Sequence, residues 1–346
     1  MNRASATVLV LLIVCACVGC GGSSPPSSPR ELNDTWRWDG SDWTALPSAN
    51  APPPRDQGAI VYDVATNQMI VFGGTDSNTN VFLNDTWTWD GSAWSMRHPQ
   101  HSPEPRSMAR MVYDPAIKAV ILVGGFTIRT LPDKSTLLAY LDDAWMWDGS
   151  DWTAYGHLPR PVAFSGADQL GYDPLSHQVV AVVAVAPAAT AVSRSLAWDG
   201  ATWKESALPA GWEGSDLLYV DPTSGGLRAL ADFAAPNFNL TYRIVSFSGG
   251  LWTAGPEIPL PASMAGFLNV AGAAYDSGHA QIVTFGGGCH DHPNSETWVF
   301  DGASWSMAQP AHRPPARNYT YLILDPSRND VLMFGGSPQT AVSCSH

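Results

Sequence analysis

Fourteen of the fifteen tryptophans of this chain fall inside six copies of one short segment. The copies read LNDTWRWDGSDW (32–43), LNDTWTWDGSAW (83–94), LDDAWMWDGSDW (141–152), SRSLAWDGATW (193–203), RIVSFSGGLW (243–252) and SETWVFDGASW (295–305). Their last tryptophans, Trp43, Trp94, Trp152, Trp203, Trp252 and Trp305, are 51, 58, 51, 49 and 53 residues apart. A period near 50 residues marks an array of like units, none of which can bury its apolar face alone. A second segment alternates with the first. It reads PRDQGAIVYDVATNQMIVFGG (54–74), PRSMARMVYDPAIKAVILVGG (105–125) and ARNYTYLILDPSRNDVLMFGG (316–336), with weaker copies at 166–185, 214–233 and 269–287.

Each unit reads as four short strands. An apolar run ends at a turn aspartate, as in Ile60-Val61-Tyr62-Asp63. The aspartate side chain bonds nearby backbone amides and so opens a turn. A second apolar run, Met69 to Phe72, ends in Gly73-Gly74, where paired glycines permit positive φ. The third run alternates, as in Thr86-Trp87-Thr88-Trp89, and meets Asp90-Gly91. Asp-Gly between strand-like runs predicts a type I′ hairpin turn. The fourth strand carries Trp94. No segment sustains a 3.6-residue apolar period, so helix is expected to be nearly absent.

Four strands per unit, a di-glycine after the second and a TW-WDG-W pattern in the third and fourth resemble the kelch repeat, in particular bacterial galactose oxidase-like units. The resemblance covers residues 31–346 and implies an all-β, six-bladed β-propeller. The di-glycine is lost at Val185-Ala186 and Asp232-Phe233, and the fifth WDG is Ser248-Gly249-Gly250, so those blades are expected to be less regular. The chain begins with a Trp-bearing half-unit and ends with the other half. The closing blade is therefore expected to combine both chain ends, which leaves no open sheet edge.

Residues 1–20 read as a signal peptide: Arg3, the apolar run Val8 to Val14, then small residues before a cysteine. The segment resembles a bacterial lipobox with Cys20 as the lipidated first mature residue and Cys17 as the competing position. Residues 21–30 (GGSSPPSSPR) form a flexible tether. The expected location is the cell envelope, with the outer membrane favoured in a Gram-negative host because Gly21 follows Cys20. The chain carries a net charge of −13 and only three lysines, Lys118, Lys134 and Lys204. That balance argues against nucleic acid as a partner, which needs a basic face.

Three groups of side chains are candidates for function. Arg55, Arg106 and Arg317 each stand eight residues before a turn aspartate, near the expected mouth of the central channel. Converging guanidiniums there would clamp carboxylates; equally, each would pair with a neighbouring blade's carboxylate or carbonyl. Asp168, Glu213 and Asp216 lie on equivalent strands and would complete such a site or neutralise it. Cys289 and Cys344 are the only cysteines outside the leader, and an oxidising compartment favours a disulfide between them. Cys289, His290, Asp291 and His292 are the alternative, as metal ligands. Phe126 to Tyr140 lengthens the second unit by about seven residues, and loops carry function more often than scaffold does.

The resemblance points to two enzyme types, copper-radical galactose oxidase and the exported sialic-acid epimerase type of kelch propeller. No tyrosine or histidine here matches the oxidase's ligands by motif; Arg55, Arg106, Arg317 and Glu213 would serve the second. The leading expectation is a monomeric binding or scaffolding module without a cofactor, for a protein or carbohydrate ligand. An enzyme acting on a sugar or sugar acid in the channel is the alternative.

Overall fold

The structure is a computed structural model. It describes residues 32–338 except 48, 77–78, 80, 160–168, 186–191, 235–239, 262–263, 265–270 and 288–293. Strands dominate the described residues, and no helix among them is long and apolar enough to cross a membrane.

Six four-stranded antiparallel sheets form the blades of a β-propeller. Blade 1 is β3 (Ala59–Asp63), β4 (Gln68–Asp76), β5 (Val81–Trp89) and β6 (Trp94–Arg97). Blade 2 is β7 (Arg110–Asp114), β8 (Ala119–Val123), β11 (Asp143–Trp147) and β12 (Trp152–His157). A separate hairpin, β9 (Phe126–Thr130) and β10 (Thr136–Tyr140), interrupts it. Blade 3 is β13 (Gln169–Asp173), β14 (Gln178–Val185), β15 (Val192–Trp198) and β16 (Trp203–Ala207). Blade 4 is β17 (Trp212–Val220), β18 (Leu227–Ala234), β19 (Leu240–Ser248) and β20 (Leu251–Ile258). Blade 5 is β21 (Gly272–Asp276), β22 (Gln281–Phe285), β23 (Thr297–Phe300) and β24 (Trp305–Met307). The closing blade joins β25 (Tyr321–Asp325) and β26 (Asp330–Phe334) to β1 (Thr35–Trp38) and β2 (Trp43–Leu46). Its seam is a regular ladder, with Thr35 opposite Phe334 and Trp38 opposite Val331.

The second strand of a blade is largely apolar at its centre because both its faces are covered. On β4, Met69 and Val71 pack towards the closing blade with Leu332 and Phe334, whereas Ile70 and Phe72 pack towards blade 2 with Val120 and Leu122. The core is thus a set of layers between neighbouring blades. In every blade the two aromatics flanking the turn between third and fourth strands lie against each other. Their ring centroids are 5.4 Å apart for Trp38–Trp43, 5.7 Å for Trp89–Trp94 and 5.3 Å for Trp147–Trp152. Those six tryptophans are fully buried. Each contributes roughly 4–6 kcal/mol of transfer free energy, from 150–250 Å² at about 25 cal/mol/Å².

The closing tryptophans also tie blades together by hydrogen bonds. Trp94 Nε1 donates to Thr35 Oγ1 at 3.0 Å, Trp152 Nε1 to Thr86 Oγ1 at 2.9 Å, Trp43 Nε1 to Thr297 Oγ1 at 2.8 Å and Trp252 Nε1 to Ser195 Oγ at 2.9 Å. The acceptor sits on the third strand of the preceding blade each time. Blade 4 has Ile244 in that register, and the indole N–H of Trp305 is buried without a partner.

The WDG turn differs from the expected type I′ geometry. Trp38 pairs directly with Trp43, so four residues form the loop. Gly40 has φ of 94°, but Asp39 is not in the left-handed region. Instead Asp39 Oδ1 accepts the amides of Ser41 and Asp42, both at 2.9 Å. The aspartate acts as a side-chain cap, which a four-residue loop needs and a two-residue turn does not. The di-glycines behave as expected. Gly74 has φ of 95°, and a Cβ there would come within 2.5 Å of the Asp56 carbonyl.

Candidate functional site

The connections between second and third strands, and those leading into each innermost strand, gather at one end of the ring. Arg55, Arg106 and Arg317 are all there, and all three side chains are fully buried. Arg55 forms a two-pronged pair with Asp85, Nη1 to Oδ1 at 2.6 Å and Nη2 to Oδ2 at 2.8 Å. Its Nη1 also donates to Gly73 O at 3.0 Å and its Nε to Pro53 O at 3.2 Å. Arg106 repeats the pattern with Asp143, Gly124 O and Glu104 O, and Arg317 with Asp34, Gly335 O and Pro315 O. The tryptophan two residues on donates its indole N–H to the same carboxylate, as Trp87 does to Asp85 at 2.6 Å. Burial alone would raise Asp85, but the Arg55 hydrogen bonds and charge outweigh it and hold the carboxyl below its usual range. Asp34 and Asp143 are lowered in the same way.

These guanidiniums do not converge on the channel. The structural alternative is the one the geometry shows, with a correction: the partner is a carboxylate of the arginine's own blade. A signal for it was present in the sequence. The three units that hold the arginine also hold Asp34, Asp85 or Asp143 one residue before the Thr or Ala that opens the TW/AW strand. The other units have Arg194, Arg243 and Glu296 there.

The residues after the arginines line the seams between adjacent blades at this end. Gln57, Met108 and Tyr319 occupy equivalent positions and share left-handed backbone, with φ of 53°, 54° and 52°. Such conformations are costly for side chains other than glycine and cluster where structure serves function. Between blades 1 and 2 the polar groups satisfy one another. Thr75 Oγ1 donates to Ser107 Oγ at 3.1 Å, and Ser107 Oγ donates to Gln57 Oε1 at 2.9 Å. Met108 N donates to Gln57 O at 2.8 Å. Between the closing blade and blade 1 they do not. Asp56 Oδ1 and Ser337 Oγ are buried there without a hydrogen-bond partner among the described residues, and so are both polar atoms of Asn318, which by register faces blade 5. Burial pushes the Asp56 carboxyl up to about 6 against the opposing bond from its own amide. Burial, then the nearby Asp56 charge, raises the Tyr319 phenol.

The fold is shared with a protein of known structure. The chain superposes on a solved structure titled "Structure of YjhT" with a TM-score of 0.58 at 13% identity, over 84% of this chain and 92% of that one. At that identity the likeness is one of fold. No family model matches the chain. Among curated proteins it is 28% identical over 152 residues to the flagellar outer-arm dynein alpha chain of Chlamydomonas reinhardtii. That stretch is 41% of this chain and 3% of the dynein chain. By its fold this chain is a six-bladed β-propeller.

The insertion at Phe126 to Tyr140 is the β9–β10 hairpin, which rises from the same end of the ring. Its base is fixed by Phe126, whose ring lies 5.4 Å from Phe82 and 6.4 Å from Tyr140. Arg129 Nη2 bonds Glu104 Oε1 at 2.8 Å. Tyr140, at that base, is still 38% exposed, and beyond it Ile128 and Leu137 are each 51% and Leu131 and Leu138 each 39% exposed.

Glu213 is exposed beside a cavity of about 220 Å³ between blades 3 and 4, lined also by Ser193, Arg194, Leu208 and Trp212. It is not part of the Arg–Asp system. Asp216 falls at an irregularity of β17 between Ser215 and Leu217, and its side chain is outside the described set. Asp168, Cys17, Cys20, Cys289, His290, Asp291, His292 and Cys344 lie outside the described residues. Sequence reasoning missed Asp56, Asn318 and Ser337. Each is adjacent in sequence to a motif residue, yet nothing in the repeat distinguishes a satisfied seam from an open one.

Proposed function

We propose that this chain is a binding module of the cell envelope, tethered through lipid on Cys20 and engaging a protein partner with its β9–β10 hairpin. The observation behind this reading is the group of large apolar side chains that the hairpin holds in solvent: Ile128, Leu131, Leu137, Leu138 and Tyr140. Apolar side chains gathered on one exposed element mark an interaction surface more often than scattered ones do. The hairpin also has open edges that a partner strand would extend. The sugar-acid enzyme reading drew on Arg55, Arg106 and Arg317 as channel ligands, and their bonds to Asp85, Asp143 and Asp34 leave it without those groups.

The test is cross-linking and capture from the native envelope with wild type and with Ile128→Ser/Leu137→Ser/Leu138→Ser. One specific protein is expected with the wild type and is lost with the variant, while the melting temperature is unchanged. Capture unaffected by the variant, or glycan binding that survives it, overturns the assignment to the hairpin. Radiolabelled palmitate should enter the wild type and not Cys20→Ala; label persisting in Cys20→Ala moves the anchor to Cys17.

A further inference from the structure

The chain enters the ring at the end where the β9–β10 hairpin stands. Leu32 N donates to Gly336 O at 3.0 Å and Gly335 N to Asp34 O at 3.2 Å, so Leu32 lies beside the di-glycine of the closing blade. The hairpin begins at Phe126, directly after Gly124-Gly125, and Leu141 N returns to Gly125 O at 2.9 Å. Both di-glycines stand where a second strand ends and a third begins, with Thr35 opposite Phe334 and Ala144 opposite Val123. The entry point and the hairpin therefore share one end of the ring, with blade 1 between them.

With the anchor on Cys20, that shared end turns towards the bilayer. Residues 21–31 bridge Cys20 to Leu32 and reach at most about 40 Å fully extended, at about 3.3–3.6 Å per residue. Turning the hairpin away from the lipid would send this segment down the outside of the ring, past strands of four to nine residues. Such strands are about 13–30 Å long, a third to three quarters of that reach, before the loops at either end are passed.

The hairpin's own chemistry indicates what it meets there. Its register sets Ile128 opposite Leu138 and Leu137 opposite Arg129, so large apolar side chains stand on both faces. Lipid alone would cover those side chains but not the backbone. Beyond the Ser107–Phe126 bridge, β9 and β10 pair only with each other among the described residues, which leaves both outer edges without a partner strand. Hydrocarbon cannot satisfy the N–H and C=O groups of an open edge. A protein segment at the bilayer surface satisfies them and covers the side chains together. We infer that the partner is a protein embedded in the membrane that carries the anchor, engaged at the bilayer surface by the open edges and apolar faces of the β9–β10 hairpin. This rests on the anchoring and hairpin readings above.

The experiment keeps the full lipidated chain in its own envelope. Three photo-reactive variants are compared: Ile128→p-benzoylphenylalanine and Leu137→p-benzoylphenylalanine on the hairpin, and Leu175→p-benzoylphenylalanine as control. Leu175 is 63% exposed in the turn between β13 and β14, at the opposite end of the ring. All three should melt as the wild type does. Irradiation should join both hairpin positions to one protein that stays with the membranes through alkaline carbonate and leaves them only in detergent. The Leu175 position should give no such product. Lengthening the tether by about twenty Gly/Ser residues should lower the yield at short irradiation by about four- to fivefold, because local concentration falls roughly as the −3/2 power of tether length. A captured protein that carbonate releases, a product containing lipid alone, equal capture from Leu175, or a yield indifferent to tether length overturns the inference. In the carbonate case hairpin-dependent capture still stands and only the membrane assignment falls. Capture of no protein from either hairpin position overturns the hairpin reading as well.

Discussion

Thr86 carries no charge and is 1% exposed, yet its hydroxyl is the acceptor for the indole N–H of Trp152 in the next blade. Thr86→Val keeps the shape and removes the acceptor. It should cost about 1–3 kcal/mol, measured by urea denaturation, because a buried donor is then orphaned. Ile244 is the natural version of that lesion, opposite Trp305. Ile244→Thr should recover a hydrogen bond at the expense of buried apolar area, so the net change should be smaller than for Thr86→Val. Asp56 gives a pH-dependent case. Its folded value lies above the unfolded one, so the charged form is penalised in the folded state. That penalty is present above about pH 6 and disappears as both states become protonated below about pH 4. Asp56→Asn should therefore stabilise the protein by about 1–3 kcal/mol at pH 7.5, and have no effect near pH 3.5. Melting curves at the two pH values check it. The Trp pattern was legible residue by residue because its period is long and regular. The open seam was not, because hydrogen-bond satisfaction depends on which atoms meet across blades.

The Arg–Asp–Trp unit spans the lead-in to the first strand and the start of the third in one blade. Its halves are 30 residues apart in blade 1 and 37 in blade 2. Spacing revealed that the arginines recur in register, but not that each side chain folds back into its own blade. Removing one partner leaves the other charge buried. Arg106→Ala should cost about 3–5 kcal/mol in denaturant midpoint experiments, more than any surface charge, and should leave hairpin-dependent capture intact. The pairs also set acid behaviour. Asp34, Asp85 and Asp143 are held below their unfolded values, so their contribution is present above about pH 4 and is lost as pH falls through the folded values. The wild type should lose stability more steeply below pH 4 than the double variant Arg106→Met/Asp143→Leu, in which two apolar side chains replace the ion pair. At this scale the WDG turn was half legible: the sequence located it, while its four-residue loop depends on the Trp38–Trp43 pairing that sets where the strands end.

Ring closure was legible from counting half-units, because a chain that starts with one half and ends with the other has few ways to avoid exposed strand edges. The consequence is measurable. Deleting residues 32–46 removes β1 and β2 and uncovers β26. The truncated chain should lose its cooperative melt and self-associate through that edge, as seen by calorimetry and light scattering. A truncation that remained monomeric with an unchanged melt would show that the closing blade contributes little. The same seam decides how the ring answers a pull from its N-terminal side. Before any strand of the ladder is stretched, tension arriving at Leu32 meets the bonds Leu32 N to Gly336 O and Gly335 N to Asp34 O. It then meets the two-pronged Arg317–Asp34 pair, which joins positions 283 residues apart. Mechanically, the propeller is a clasp: the first link to take the strain is the one that holds its two ends together.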